Sequence, residues 1–125
     1  MDASGIELNG SVVPLASWDD WELKLSIGLA GISLQAQGDR WSGKIEVAVV
    51  QRDDFGNEFE RHLDTFGLML KSDTYNKAVN KGVDYSRSFK LDPKATSLRV
   101  VVRDLSSGNL GTLTIPLPVR GLIGK

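Results

Sequence analysis

The chain has 125 residues, of which 41% are hydrophobic and 25% charged, and its formal net charge is −1. This composition is typical of a soluble globular protein, so we expect residues 1–125 to form a single domain with a sizeable core and loose termini at 1–5 and 119–125. The near-neutral charge argues against a nucleic-acid partner, and the absence of cysteine excludes disulfides and thiolate metal sites.

The first half of the chain alternates between apolar and polar residues, which is the period of a β-strand with one buried face. This alternation predicts strands at residues 6–13, 22–29 and 41–51. Gly28 and Gly31 indicate a bend or bulge before a short apolar segment at 32–34. The residues at 37–40 and 52–57 have turn chemistry, because glycine and asparagine tolerate the positive φ angles of tight turns.

The second half of the chain continues the strand pattern but contains one helical segment. Alternation predicts strands at residues 58–71, 83–91, 98–104 and 110–117. Between the first two of these, Tyr75 and Ala78 lie at helical offsets, Asp73 is a candidate N-cap and Gly82 is a natural terminator. These signals predict one short helix near residues 73–81 that crosses between sheets.

The alternation also assigns side chains to the two faces of the predicted sheets. In the strand at 83–91 the apolar residues share one face, on which Arg87 is the polar exception. In the closing hairpin, the residues that face the core are Leu98, Val100 and Val102. Arg99 and Arg103, with Val101 between them, face away from the core, and this outward row is either a solvated sheet face or a surface for a partner.

Strands separated by turns, with no long helix, are typical of an all-β protein. We therefore predict an immunoglobulin-like antiparallel β-sandwich of about seven to nine strands with one short helix. A parallel α/β sheet is disfavoured, because its crossover connections need longer helices than this chain offers. No apolar run approaches the ~18 residues of a membrane span, so we expect no membrane-spanning segment.

Two turns carry oxygen-bearing side chains that could bind an ion. Asp104 and Ser106 follow an apolar strand, as in the Mg²⁺ site of a von Willebrand A domain. That site needs Asp-x-Ser-x-Ser followed by a helix, whereas this sequence has Gly108 at the fifth position and then a strand. Asp53 and Asp54 lie in an acidic turn that lacks the spacing of a calcium-binding loop. We interpret both segments as hairpin turns and predict no metal and no cofactor.

The three tryptophans could offer stacking surfaces for sugars. Trp41 is in phase with Ile45 and Val47, which favours a core position. Trp18 and Trp21 flank two aspartates before a strand, and they either cap the sandwich edge or form an exposed carbohydrate platform.

The chain lacks a recognisable catalytic set. His62 is the only histidine, and without a cysteine, a second histidine or a nucleophile-elbow serine it does not predict a triad or a zinc site. Adjacent aspartates on a strand point to opposite faces and do not jointly flank a glycosidic bond. We therefore predict that the chain is not an enzyme.

Several short and different motifs follow one another along the chain. They lie at residues 39–43, 45–51, 56, 82–86, 98–104, 107–111 and 115–116. This set, which spans roughly residues 20 to 118, resembles the C-terminal immunoglobulin-like domain of bacterial von Willebrand factor A-related proteins. The resemblance implies an accessory sandwich downstream of a von Willebrand A domain, in a secreted or envelope-associated protein. It carries over no functional residue.

These observations predict a non-catalytic accessory module that binds a protein partner or a neighbouring domain through a sheet face or an edge strand. The candidate ligand surfaces are Trp18, Trp21, Arg99 and Arg103. Two alternatives stay open, namely a carbohydrate-binding module that uses an exposed tryptophan and a Ca²⁺- or Mg²⁺-binding sandwich. The first five residues lack the basic segment and apolar run of a signal peptide. We therefore expect an extracellular or envelope location if the chain is an excised domain, and a cytoplasmic one if it is complete.

Overall fold

The computed structural model describes residues 5–17 and 19–117. Within these ranges the chain forms β1 (Leu8–Pro14), β2 (Asp20–Ile27), β3 (Gln35–Gln37), β4 (Arg40–Arg52), β5 (Glu58–Lys71), α1 (Ser72–Lys81), β6 (Val83–Lys90), β7 (Ser97–Asp104) and β8 (Leu110–Pro116). The predicted termini at 1–5 and 119–125 lie outside the described ranges, except for Gly5. No helix in these ranges is long and apolar enough to span a membrane.

The strands form two antiparallel sheets that enclose one apolar layer. The small sheet has the order β1-β2-β6. In the large sheet β5 lies along one edge of β4, while β3 and β7 share the other edge end to end, and β8 lies outside β7. The predicted all-β antiparallel sandwich is therefore confirmed, and β4 is the central strand of its larger sheet.

The core lies between the two sheets and follows the predicted alternation. Its most deeply buried apolar side chains are Ile6, Leu23, Ile27, Ile45, Val47, Leu98, Val100 and Val102. Each contributes about 1.5–3 kcal/mol when its side chain leaves water. The inward face predicted for the strand at 98–104 is confirmed, because all three of its assigned residues are fully buried.

The predicted helix is confirmed, but its predicted N-cap is wrong. Lys71 is the N-cap residue and makes no side-chain capping hydrogen bond, whereas Asp73 lies in the first turn. An acidic side chain there still interacts favourably with the positive end of the helix dipole. Gly82 ends the helix at φ 79°, and its N–H donates to the carbonyl of Ala78 at 2.7 Å. The ring of Tyr75 stacks on Trp41 at 4.5 Å, which attaches the helix to β4.

The apolar segment at 32–34 lies in a loop between β2 and β3. The short strand β3 lies just after it and includes Gln37, which we assigned to a turn. Ile32 is buried in the core as part of a loop, and the N–H of Ser33 donates to the Asp104 carboxylate at 2.9 Å. This contact across 71 residues replaces the ladder hydrogen bond that a strand would make.

The two sides of the sandwich are closed differently. On one side, the N–H of Ile6 donates to the carbonyl of Leu110 at 3.1 Å, so the chain just before β1 meets β8. A Cβ atom at Gly111 would lie 2.2 Å from the carbonyl oxygen of Ile6, so this approach requires glycine. On the other side the sheets end at β5 and β6, whose inner faces carry polar side chains.

Candidate functional site

The outer face of the large sheet carries an apolar row across its central strands. Leu63 of β5, Ala48 of β4 and Val101 of β7 are opposite one another in the strand register. The side chain of Leu63 is 59% exposed, and the other two are half-buried. This row faces solvent because all three residues alternate with core residues on their strands.

Three arginines flank this row. Arg61 and Arg99 lie on either side of Val50 in the next row of the register, and Arg103 lies in the row on the opposite flank. Val50 is only 7% exposed although it points outward, and both of its register neighbours are arginines, whose aliphatic stems can lie over apolar surface. We call this set the outer-face patch; its members are Ala48, Val50, Arg61, Leu63, Arg99, Val101 and Arg103.

The three guanidinium groups of the outer-face patch differ in their hydrogen-bond partners and their exposure. Arg61 donates to Glu58 at 2.6 Å, and Arg99 donates to the hydroxyl of Thr114 at 2.9 Å. Arg103 is exposed and is opposite Glu46 and Leu110 in the register. Arg99 and Arg103 therefore lie on the outer face as the alternation predicts, and their role in binding stays a prediction.

A polar cluster fills the open side of the sandwich between β5 and β6. Asp64 accepts hydrogen bonds from the Tyr85 hydroxyl and from Nη1 of Arg87, the latter at 2.7 Å. Nη2 of Arg87 lies 3.0 Å from Nδ1 of His62. Nε2 of His62 is in turn 3.4 Å from a carboxylate oxygen of Glu60. We call these five side chains the edge cluster; they join the two sheets across the side where the core would otherwise meet water.

The hydrogen bonds of the edge cluster determine its charge states. The hydrogen bond from Tyr85, helped by Arg87, holds the pKa of Asp64 below its usual value. Burial raises the pKa of Tyr85 to about 12, and the hydrogen bond to Asp64 adds to this effect. At neutral pH the carboxylate is therefore ionised and the phenol keeps its proton. A carboxylate with a lowered pKa is a poor general base at that pH, so the geometry supports a structural role for this pair.

The edge cluster was not predicted as a site, although the sequence contains one signal for it. Phe66, Leu68 and Leu70 are in phase on β5, and the same phase places Asp64 and His62 on the inner face. Arg87 is the polar exception on its face of β6. Only the pairing of the sheets shows that these exceptions meet.

The ion-site candidates lie in separate turns and use their oxygens internally. Asp104 is fully buried and accepts from the Ser107 hydroxyl at 2.6 Å, and from the N–H of Ser106 at 3.3 Å. Burial raises the pKa of Asp104, but these hydrogen bonds and those from backbone N–H groups outweigh it and leave the pKa below its usual value. Ser106 enters this arrangement through its backbone N–H. The turn predicted at this position is confirmed.

The carboxylates of the acidic turn after β4 also accept hydrogen bonds from within the protein. Asp53 accepts from the N–H groups of Phe55 and Asn57, both at 2.9 Å, and Asp54 accepts from the Thr96 hydroxyl at 2.8 Å. This turn lies at the start of β7, whereas Asp104 ends that strand. Over residues 5–17 and 19–117, no group of three or more His, Cys, Asp or Glu side chains is arranged to hold a metal ion.

The tryptophans do not form a common surface in the described residues. Trp18 lies outside the described ranges. Trp21 is half-buried, packs against the core and is opposite Phe89 in the register. Trp41 is half-buried and is not one of the fully buried core residues that its phase predicted, and its ring stacks on Tyr75 of α1.

The comparisons with known proteins assign this chain to no family. No protein-family model and no curated protein matches this chain. A structure of a calcium-binding mutant of Bacteroides uniformis beta-glucuronidase 2 is similar at 11% sequence identity and a TM-score of 0.39. The match covers 90% of this chain but only 13% of that chain. A likeness at this level supports no conclusion about function.

Proposed function

We propose that this chain is a non-catalytic, immunoglobulin-like β-sandwich module that binds a protein partner through the outer-face patch. The observation that carries the proposal is the row of Leu63, Ala48 and Val101 flanked by three arginines. Protein interfaces are enriched in arginine around a desolvated apolar centre, and such centres supply most of the binding energy. A plain solvated sheet face has no need for an apolar row of this kind.

The composition of the outer-face patch also indicates the chemistry of its partner. Arg103 is exposed, and the Arg61 side chain is 60% exposed although it contacts Glu58. A partner that brings carboxylates over these guanidinium groups and an apolar side chain over Leu63 would complement both features. The resemblance to von Willebrand factor A-related proteins supplies the proposed partner, an A-type domain encoded in the same open reading frame of a secreted or envelope-associated protein.

Titration of the chain against that A-type domain, followed by NMR chemical shifts and calorimetry, tests the proposal. We expect shifts concentrated on β4, β5 and β7, and Arg103→Glu and Val101→Glu should each weaken binding at least about tenfold. Lys24→Glu is the matched control, because this side chain is 62% exposed on the outer face of the small sheet.

Three results would overturn this proposal. The first is an open reading frame without an A-type domain, which removes the proposed partner. The second is an A-type domain that does not bind the wild-type chain. The third is equal weakening by the control and by the two patch variants, which would place the contact elsewhere.

A further inference from the structure

β5 has a long free edge whose chemistry is self-complementary. The strand has 14 residues, and among the strands of residues 5–17 and 19–117 it pairs only with β4. We propose that this edge pairs antiparallel with β5 of a second copy of the chain, around a twofold axis near Phe66. The two large sheets then join into one continuous sheet.

The two halves of β5 differ in how they are protected against such pairing. In the first half, the pairing with β4 is irregular between Val50 and Arg52, and the polar side chains of His62 and Asp64, which belong to the edge cluster, face inward. Bulges and inward-facing charges are devices that protect free edges. The second half, residues 65–70, contains no charged residue, no proline and no register shift. An uncharged run of this kind on an edge is a template for another strand.

The register follows from the two exposed apolar side chains on the outer face of β5. Leu63 is 59% exposed and Met69 is 58% exposed, and they lie six residues apart on the same face. Antiparallel pairing about Phe66, midway between them, places Leu63 of each copy opposite Met69 of the other. The pair forms twice in the dimer, and cross-strand apolar pairs of this kind stabilise a sheet.

The charged ends of β5 meet in this arrangement and set a limit on how tightly the copies pair. The strand begins with Glu58 and Glu60 and ends with Lys71. Pairing about Phe66 places Lys71 of one copy opposite Arg61 of the other, and Glu58, which already contacts Arg61 at 2.6 Å, offsets this like-charged pair. Asp64 keeps its hydrogen bonds to Tyr85 and Arg87, because these come from β6 and not from the free edge.

A second copy fits this edge better than an unrelated strand, because β5 supplies both halves of each contact. The interface is isologous, so it closes at two copies. It shares only Arg61 and Leu63 with the outer-face patch, and it goes beyond the proposed partner binding. Arg103→Glu and Val101→Glu, which test the patch, should leave the dimer intact.

Sedimentation equilibrium over a wide concentration range tests the pairing. Leu63→Lys and Met69→Glu should each weaken dimerisation about tenfold, because each removes both apolar cross-strand pairs. The double variant, and an equimolar mixture of the two single variants, should recover association through facing lysine and glutamate side chains. Leu110→Lys is the matched control, since this side chain is 40% exposed on β8 at the far side of the sheet.

Each outcome of this experiment decides the proposal. A wild-type chain that stays monomeric at about 1 mM overturns it, as does a dimer that both single variants leave unchanged or that the control weakens equally. A dimer that the single variants weaken but the double variant does not restore overturns the register. Urea unfolding of the double variant, whose two substitutions lie on exposed side chains, shows that the fold is kept.

Discussion

Asp104 connects the closing hairpin to the loop before β3, so its replacement should destabilise the whole sandwich. The carboxylate is fully buried and accepts from the N–H of Ser33, the hydroxyl of Ser107 and the N–H of Ser106. We expect Asp104→Ala to remove all three contacts. Asp104→Asn keeps the shape but turns one acceptor oxygen into a donor, which then faces another donor.

The expected loss of unfolding free energy follows from the hydrogen-bond distances of Asp104. The contacts at 2.9 Å to Ser33 and 2.6 Å to Ser107 are short hydrogen bonds to a charged group, each worth roughly 1.5–3 kcal/mol. The 3.3 Å contact to Ser106 adds little. Removing the carboxylate also relieves its burial cost, so we expect Asp104→Ala to lower the free energy of unfolding by about 3 kcal/mol. That is a large share of the ~5–15 kcal/mol that stabilises a domain.

Urea unfolding at pH 7 measures this effect against a matched control. Asp53 also accepts two backbone hydrogen bonds in a turn, but its turn is exposed. Asp53→Ala should therefore cost clearly less stability than Asp104→Ala, because water replaces the lost contacts. Equal losses at the two positions would refute the argument that burial determines the cost.

The pH dependence gives a second test of the same carboxylate. The pKa of Asp104 is lowered in the folded state, so its stabilisation is fully present above the unfolded pKa of about 4. It is lost as the pH falls through the folded pKa. The difference in unfolding free energy between the wild type and Asp104→Asn should therefore be greatest at pH 5–7 and shrink toward pH 2. A difference that does not change over this range would contradict the assignment.

Two further predictions concern polar side chains on β4 and β6. Gln51 is 1% exposed and joins the carbonyl of Lys90 to the N–H of Asp92, at 2.7 and 2.8 Å, so Gln51→Leu should cost about 2–3 kcal/mol in urea unfolding. Tyr85 should titrate with a pKa of about 12 by ultraviolet absorbance, and Tyr85→Phe should remove that late step. Because this pKa is raised on folding, the contribution of Tyr85 is complete below about pH 10 and is lost as the pH rises through 12.

The strands were predictable because their pattern is a direct consequence of one-sided burial. The period of two in β4 and β7 requires one dry and one wet face, and β5 begins and ends at the predicted residues. The loop at 32–34 was not predictable, because Ile32 is buried there without a strand ladder. Its partner, Asp104, is 71 residues distant in sequence.

The candidate surfaces were predictable only in part, because they depend on how the strands pair as well as on alternation within each strand. Arg99 and Arg103 point outward by alternation within one strand, which the sequence shows directly. Leu63 and Arg61 join them only through the register between β5 and β4. The edge cluster depends on how the two sheets pack, because Asp64 and Arg87 belong to different sheets. Patterns within a strand are local, whereas the pairing of strands and the stacking of sheets are not.

The two ways in which the sandwich closes its sides also explain why self-association would stop at two copies. Where β1 meets β8, backbone contact closes the side and leaves no room for a side chain at Gly111. On the opposite side, the edge cluster closes the gap with charged side chains, which must lie on the first half of β5. The second half of β5 then has no such protection. A twofold axis near Phe66 lies where these halves meet, so each unprotected half is covered by the protected half of the other copy.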